Sequence, residues 1–225
     1  MGTVLLIRHG QSVANAQGIL AGRTPGVLLD DIGKASAKEL GNSLQQVPVV
    51  QVVSSPLERT TETSEYLFGA SIPMVQDERL TECDYGHWQG RLLSELALDP
   101  LWEIVQNQPD AMEFPNGESM EAMANRASTC IREWDDRLSR QHGENVIWAA
   151  VSHGDVIKAI CADALNLPLR NFQRIAVEPL SISVIQYAKG FTRLHKLNDT
   201  GLRWLESLAK LSESAPTVGG EVTAK

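Results

Sequence analysis

The chain has 225 residues, of which 43% are hydrophobic and 21% charged, and its formal net charge is -8 at pH 7. This length fits one α/β domain with a substantial core, and the acidic balance argues against a general affinity for nucleic acid or anionic membranes. The longest apolar run in the middle of the chain, Val146–Val151, is far too short to span a bilayer. No signal-type or lipidation sequence precedes Val4, so we expect a cytoplasmic protein.

The cysteines indicate neither a disulfide framework nor a zinc site. Cys83, Cys130 and Cys161 are odd in number, and no two of them have a short spacing. We therefore interpret them as reduced residues that pack in the interior.

The first predicted strand ends in a cation and an imidazole. Val4–Ile7 is a run of four apolar residues, typical of a central strand that is covered on both faces. Arg8 and His9 follow, and Gly10 allows the backbone to turn. Open α/β sheets hold their ligands at the carboxyl ends of the strands, so Arg8 and His9 are expected at the mouth of a site. The alternative is an ordinary strand end with solvated polar side chains.

The next segment predicts an irregular loop followed by a helix. Residues 11–26 are rich in glycine and include a proline. Ser12 and Asn15 are close enough to His9 in sequence to face the same site, although turn formation explains them equally well. Asp30 or Asp31 is expected to cap a helix that continues to Leu44.

A second buried strand, Val49–Val53, leads into a helix start. Ser55, the proline after it and Glu58 match a capping box, with Ser55 as the N-cap. This places Arg59 in the first helical turn, where a helix N-terminus and a guanidinium both favour anions. Ion pairing of Arg59 with a neighbouring glutamate is the alternative. The helix is expected to end near Phe68.

A third strand is predicted at Ile72–Val75, and residues 79–90 then predict a structured loop, since they show neither helical nor strand periodicity. Such loops often carry function. Glu82 and Asp84 are its candidate acids. Tyr85 and Trp88 are explained most simply as packing anchors.

The second half predicts further α/β units. Residues 91–125 suggest short helices separated by prolines, and Ser119 starts a long helix with one apolar stripe. The buried strand Val146–Val151 runs into Ser152, His153, Gly154 and Asp155, and an amphipathic helix follows. Residues 181–187 and 191–197 predict a β-hairpin. We expect a last short helix near residue 204, one domain over residues 1–211 and a disordered tail over 212–225.

Four short motifs occur in a fixed order across this predicted domain. They are Arg8-His9-Gly10, the Arg59 that follows Ser-Ser-Pro, Glu82 in Leu-Thr-Glu-x-x-x-Gly-x-Trp-Gln-Gly, and Ser152-His153-Gly154. Together they resemble the histidine phosphatase superfamily in its phosphoglycerate mutase-like branch, and the resemblance runs from residue 3 to about 200. It implies a three-layer α/β/α sandwich with a mainly parallel central sheet.

The resemblance also implies roles for the motif residues. Arg8 and Arg59 would bind the phosphoryl group, and His9 would attack it as a neutral imidazole to form a phosphohistidine. His153 would donate to the phosphate opposite His9. Glu82 would protonate the leaving alcohol, with Asp84 as the alternative acid.

The implied substrate contacts are Gly10, Ser12, Asn15, Arg23 and Gly154. Neither a metal nor another cofactor is expected, because the arginines supply the positive charge. The expected partner is a small phosphorylated metabolite, with no nucleic acid and no membrane, and a homodimer is left open.

The choice between hydrolysis and phosphoryl transfer depends on further basic residues. Phosphoglycerate mutases carry such residues after the Gly-x-Trp-Gln-Gly motif, whereas residues 92–125 contain no Lys or Arg here. This favours a phosphatase, with a phosphomutase second, and leaves Arg23 and Arg91 as cations that could bind a second anionic group. A metal-dependent hydrolase using His9, His153 and Asp155, and a non-catalytic binding protein on the same fold, are the remaining alternatives.

Overall fold

A six-stranded mixed sheet forms the centre of the protein in a computed structural model that describes residues 2–188 and 190–201. The strands are β1 (Thr3–Arg8), β2 (Val49–Ser54), β3 (Met74–Gln76), β4 (Ile147–Ser152), β5 (Ile182–Ala188) and β6 (Phe191–Asp199). Their order across the sheet is β3-β2-β4-β1-β5-β6. The four strands from β3 to β1 pair in parallel, and β5 and β6 form the antiparallel hairpin predicted from the sequence.

The register of the parallel strands brings the carboxyl ends of β1, β2 and β4 together. Arg8 of β1 pairs with Ser152 of β4, and Ser54 of β2 pairs with Val151. The residues that leave these strands therefore emerge side by side at one edge of the sheet. This is the edge at which parallel α/β sheets bind ligands.

Seven α-helices accompany the sheet in the described part of the chain. They are α1 (Val13–Gln17), α2 (Asp31–Leu44), α3 (Glu58–Phe68), α4 (Leu93–Leu96), α5 (Leu101–Asn107), α6 (Met120–His142) and α7 (Gly154–Ala164). Of the two predicted cap residues Asp30 and Asp31, the structure has Asp30 as the cap of α2, and Ser119, predicted to start the long helix, caps α6; both side chains accept hydrogen bonds from the first turn of their helix. No described helix combines the length and the apolar character needed to cross a lipid bilayer.

The alternation of side chains along β1 creates a core on each face of the sheet. Leu5 and Ile7 pack with Leu44 of α2 and Leu67 of α3 on one face. The side chains on the opposite face pack with residues of α6 and α7, and they include Val4, Leu6, Trp148 and Ala150. Both faces of the central strands are covered, which explains their continuous apolar sequences. The predicted three-layer α/β/α architecture is confirmed.

Three local predictions were wrong. Ser55 is not the N-cap: α3 begins at Glu58 with Leu57 as its cap residue, and the Ser55 hydroxyl accepts from the Leu57 nitrogen at 3.3 Å and lies at hydrogen-bond distance from His153. The loop over residues 11–26 contains α1. The third strand begins at Met74, two residues later than predicted.

The predicted helix near residue 204 and the tail 212–225 lie outside the described residues. The division into one domain over residues 1–211 and a disordered tail stays a prediction.

Candidate active site

His9 lies directly after β1 and is buried. Its Nδ1 is 2.7 Å from the carbonyl oxygen of Gly10. A carbonyl oxygen only accepts hydrogen bonds, so Nδ1 carries the proton and Nε2 holds the lone pair. Nε2 in turn accepts a hydrogen bond from Nε of Arg59 at 3.2 Å. The tautomer that leaves Nε2 unprotonated is thus fixed by the backbone.

The surroundings of His9 keep the imidazole neutral. Burial is the main cause, and the positive charges of Arg59 and Arg8 add to it, so the pKa of His9 is held well below its usual value. The bond to Gly10 opposes this shift but does not reverse it. A neutral imidazole with a directed lone pair can act as a nucleophile near neutral pH.

Two buried guanidinium groups flank His9. Arg8 ends β1, and one of its terminal nitrogens donates to the carbonyl oxygen of Val177 at 2.8 Å. Arg59 lies in the first turn of α3 as predicted, and its terminal nitrogen donates to the carbonyl oxygen of Gly22 at 2.7 Å. Guanidinium groups match phosphoryl oxygens, and burial strengthens their attraction for an anion. The pair therefore forms a candidate phosphate site.

His153 follows β4 and faces His9. The centres of the two imidazole rings are 5.3 Å apart, at an angle of 61°. His153 Nε2 lies 2.8 Å from the Ser55 hydroxyl oxygen, and its buried Nδ1 has no hydrogen-bond partner among the described residues. Burial, followed by the charge of Arg59, holds the pKa of His153 well below its usual value. A buried Nδ1 without a protein partner is available to form a hydrogen bond with a ligand.

Glu82 has the properties of a general acid. Its side chain is buried, and its Oε1 accepts a hydrogen bond from the backbone nitrogen of Cys83 at 2.9 Å. Burial, followed by the negative charge of Asp155, raises the pKa of Glu82 to about 7. A carboxyl group with such a pKa holds its proton near neutral pH and can still release it.

The alternative acid, Asp84, is engaged in loop structure. Its Oδ1 accepts hydrogen bonds from the backbone nitrogen of Gly86 at 3.0 Å and from Nε2 of Gln89 at 3.2 Å. Its Oδ2 lies 3.7 Å from Arg23. These contacts support Glu82 over Asp84 as the acid.

The small residues predicted to contact substrate have structural partners in the described chain. Ser12 is the buried N-cap of α1, and the side-chain oxygen of Asn15 accepts from its nitrogen at 2.9 Å and its hydroxyl at 2.8 Å. The Gly10 nitrogen donates to the Thr63 hydroxyl at 3.0 Å, and Gly154 starts α7. Direct contacts of these residues with substrate stay predictions.

The two candidate cations outside the phosphate site are paired with carboxylates. Arg23 lies 2.7 Å from an oxygen of Glu118. Arg91 lies 3.9 Å from carboxylate oxygens of Glu95 and Asp99. Both positive charges are therefore offset within the protein.

Several residues near the site were not predicted to take part in its chemistry. Ser55 contacts His153, and the hydroxyl of buried Tyr85 donates to Asp155 at 2.8 Å. Glu118 and Arg126 form ion pairs behind the Glu82 loop, defined as residues 81–91. A serine before a proline is typical of a helix cap, and isolated charged residues are typical of a solvent-exposed surface. No local pattern distinguished these residues.

A sequence model of the histidine phosphatase superfamily (branch 1) matches residues 4–200. The chain belongs to this family. This confirms the family and the class of enzyme predicted from the motifs. The four motifs lie at or beside the candidate site, which follows the carboxyl ends of β1, β2 and β4.

Relatives of both activities align over most of the chain. It is 28% identical to phosphoserine phosphatase 1 of Hydrogenobacter thermophilus, covering 88% of this chain and 92% of that protein. It is also 28% identical to 2,3-bisphosphoglycerate-dependent phosphoglycerate mutase 2 of Gloeobacter violaceus, covering 79% and 82%. The solved structure of Bacillus stearothermophilus YhfR superposes with a TM-score of 0.81 at 26% identity, covering 89% of this chain and 98% of that one. Phosphatase and mutase both stay open on these grounds.

Proposed function

We propose that this protein is a phosphatase that hydrolyses small phosphate monoesters through a phosphohistidine on His9. The observation that carries the proposal is the state of His9: a buried neutral imidazole, protonated on Nδ1, with Nε2 directed at Arg59. A nucleophile needs an unprotonated nitrogen with a lone pair, and a phosphate dianion needs fixed positive charge. His9 and the two arginines supply both in one place.

The reaction proceeds in two balanced steps. Arg8 and Arg59 hold the phosphoryl oxygens, Nε2 of His9 forms a bond to phosphorus, and the bond from phosphorus to the ester oxygen breaks. Glu82 gives its proton to the leaving alcohol. Water then attacks the phosphohistidine, the Glu82 carboxylate takes a proton from it, and inorganic phosphate leaves with His9 restored. The Nδ1 of His153 contacts the phosphoryl group from the opposite side.

The charge of the transferred group is balanced by arginine rather than by a metal ion in this proposal. Among the described residues, no three His, Cys, Asp or Glu side chains are arranged to hold a metal ion. Phosphate release that survives exhaustive treatment with a chelator is the expected result. Loss of activity on chelation, restored by adding back a divalent cation, would instead support the metal-dependent alternative.

Hydrolysis is favoured over mutase activity by the pairing of Arg23 and Arg91. A mutase must bind a second anionic group on its substrate, whereas both cations are already offset by carboxylates. Residues 92–125 add no Lys or Arg. The mutase remains the second candidate because a relative of that name aligns with most of the chain. Phosphate release from metabolite monoesters, measured beside isomerisation of 3-phosphoglycerate with and without a bisphosphate primer, separates the two activities.

The covalent intermediate is the decisive test of the mechanism. Brief incubation with a ³²P-labelled ester is expected to leave an acid-labile, base-stable label on the wild-type protein and none on His9→Ala. His195→Ala is the matched control, since His195 is exposed on β6 and lies beside Gln186. A label that persists in His9→Ala would refute the role of His9. No phosphate release from any ester, including p-nitrophenyl phosphate, would favour a non-catalytic binding protein.

We further propose that the protein acts in the cytoplasm on free metabolites, without nucleic acid or membrane partners. Cys83, Cys130 and Cys161 are free thiols and buried, which fits a reducing compartment. The net charge of -8 disfavours polyanions. The homodimer stays a prediction, which sedimentation or light scattering of the purified protein would test.

A further inference from the structure

Glu118 lies between two arginines behind the Glu82 loop. Its Oε1 accepts hydrogen bonds from Arg23 at 2.7 Å, from Arg126 at 2.6 Å and from the backbone nitrogen of Asp84 at 2.9 Å. Its Oε2 accepts from Nε of Arg126 at 3.0 Å. Arg126 thus holds Glu118 with two parallel bonds, the strongest arrangement for this pair. Although burial acts to raise the pKa of Glu118, the bonds and charge of Arg126 hold it below its usual value, so Glu118 stays charged.

Both arginines also reach the backbone of the proposed acid. Nε of Arg23 donates to the Glu82 carbonyl oxygen at 2.9 Å, and a terminal nitrogen of Arg126 donates to the same oxygen at 3.2 Å. A second terminal nitrogen of Arg126 donates to the carbonyl oxygen of Arg79 at 2.7 Å. The main chain at Arg79 and at Glu82 is therefore held by one side chain from α6.

Close backbone contacts support this arrangement. A Cβ on Gly117 would lie 2.2 Å from the carbonyl oxygen of Asp84, and a Cβ on Gly86 would lie 2.1 Å from the carbonyl oxygen of Pro115. The Glu118 nitrogen donates to the Asp84 carbonyl oxygen at 2.9 Å. The segment before α6 is thus packed directly on the Glu82 loop, and Glu118 is fixed relative to it.

We propose that the Arg23–Glu118–Arg126 cluster positions the Glu82 carboxyl group for proton transfer to the leaving alcohol, with Arg126 as its central residue. The inference rests on the proposed function, which gives Glu82 the acid role. A general acid must lie within about 3 Å of the oxygen that it protonates, and misplacement by about 1 Å can cost on the order of 100-fold in rate. Arg126 does not touch the reacting atoms, so it acts through the backbone of Glu82.

The test compares two substrates that differ in their need for an acid. The leaving group of a simple alkyl phosphate is a strongly basic alkoxide, which needs a proton as it departs. The leaving group of p-nitrophenyl phosphate is a stable phenolate, which does not. For Arg126→Met we expect kcat/KM, which reports the steps up to departure of the alcohol, to fall about 10- to 100-fold with the alkyl phosphate and less than about 3-fold with p-nitrophenyl phosphate. Arg126→Lys, which retains the positive charge but not the planar guanidinium group, is expected to lose less activity than Arg126→Met. Arg132→Met is the matched control, since Arg132 lies on the same helix and pairs with Asp163.

A double-mutant cycle separates positioning of Glu82 from a general effect. If Arg126 acts through Glu82, then adding Arg126→Met to Glu82→Gln should change kcat/KM for the alkyl phosphate by less than about 3-fold. Multiplication of the two separate losses would overturn the inference. So would equal losses by Arg126→Met on both substrates, which would indicate only a weakened fold.

Failure of the positioning role and failure of the proposed function give different results. A selective loss in Glu82→Gln together with an unselective one in Arg126→Met would overturn the positioning role and leave the proposed function intact. Equal losses of kcat/KM on both substrates in Glu82→Gln itself would overturn the acid role and the inference with it. If Arg126→Met does not fold, Glu118→Gln, which weakens the same cluster while preserving its shape, is expected to give the same selective loss, and an unselective loss there would overturn the inference.

Discussion

The burial of Glu82 should make the stability of the protein depend on pH in a defined window. The raised pKa of about 7, against the usual 4.5, means that the folded state keeps a proton that the unfolded state loses between these values. The unfolded state then binds fewer protons, so the free energy of unfolding falls as pH rises through this window. The difference of about 2.5 pH units, at about 1.4 kcal/mol each, corresponds to a contribution of up to about 3 kcal/mol.

Replacing Glu82 with Gln removes this titration while keeping the shape and the acceptor for Cys83. We expect Glu82→Gln and the wild type to have similar stabilities at pH 5, and Glu82→Gln to be more stable by up to about 3 kcal/mol at pH 8. Urea unfolding followed by tryptophan fluorescence measures this, since Trp88 and Trp148 are buried. Glu39→Gln, an exposed carboxylate on α2, is the control. The reasoning is refuted if the difference between Glu82→Gln and wild type is the same at both pH values.

Three further predictions concern the proposed chemistry. For an alkyl phosphate, kcat/KM should fall about tenfold per pH unit above pH ~7 as Glu82 loses its proton. Glu82→Gln should not show this fall, because His9 is already neutral in that range. If the fall persists in Glu82→Gln, the titrating group is not Glu82. Ser55→Ala removes the partner of His153 and should lower stability by about 1 kcal/mol and kcat by about tenfold, whereas unchanged kcat would exclude a catalytic effect of this contact. Gly117→Ala should lower the free energy of unfolding by about 1–3 kcal/mol because its Cβ would overlap a carbonyl oxygen of the Glu82 loop, and a neutral result would contradict this close packing.

The helix starts show how far local sequence carries. Asp30, one of two predicted cap residues, and Ser119, predicted to start the long helix, both cap their helices because each side-chain oxygen satisfies a backbone nitrogen within its own first turn. Ser55 has the same local pattern, and its hydroxyl accepts from the Leu57 nitrogen, but it also lies 2.8 Å from a histidine 98 residues away, and the helix begins later than predicted. A contact between residues so distant in sequence has no local signature, so the pattern did not predict it.

The sequence by itself determined the order of α/β units and the chemical groups delivered to the sheet edge. Continuous apolar strands followed by Arg8-His9 and Ser152-His153 depend only on residues near each other in the chain, and their pairing follows from a parallel sheet. The tertiary structure alone decided the pKa of Glu82 and the residues that hold its loop in place. The pKa of Glu82 depends on burial and on Asp155, and its position depends on Arg126 and Glu118, which the fold brings together from separate segments. The effects of burial and charge depend on distances in space, and the spacing of residues along the chain does not give those distances.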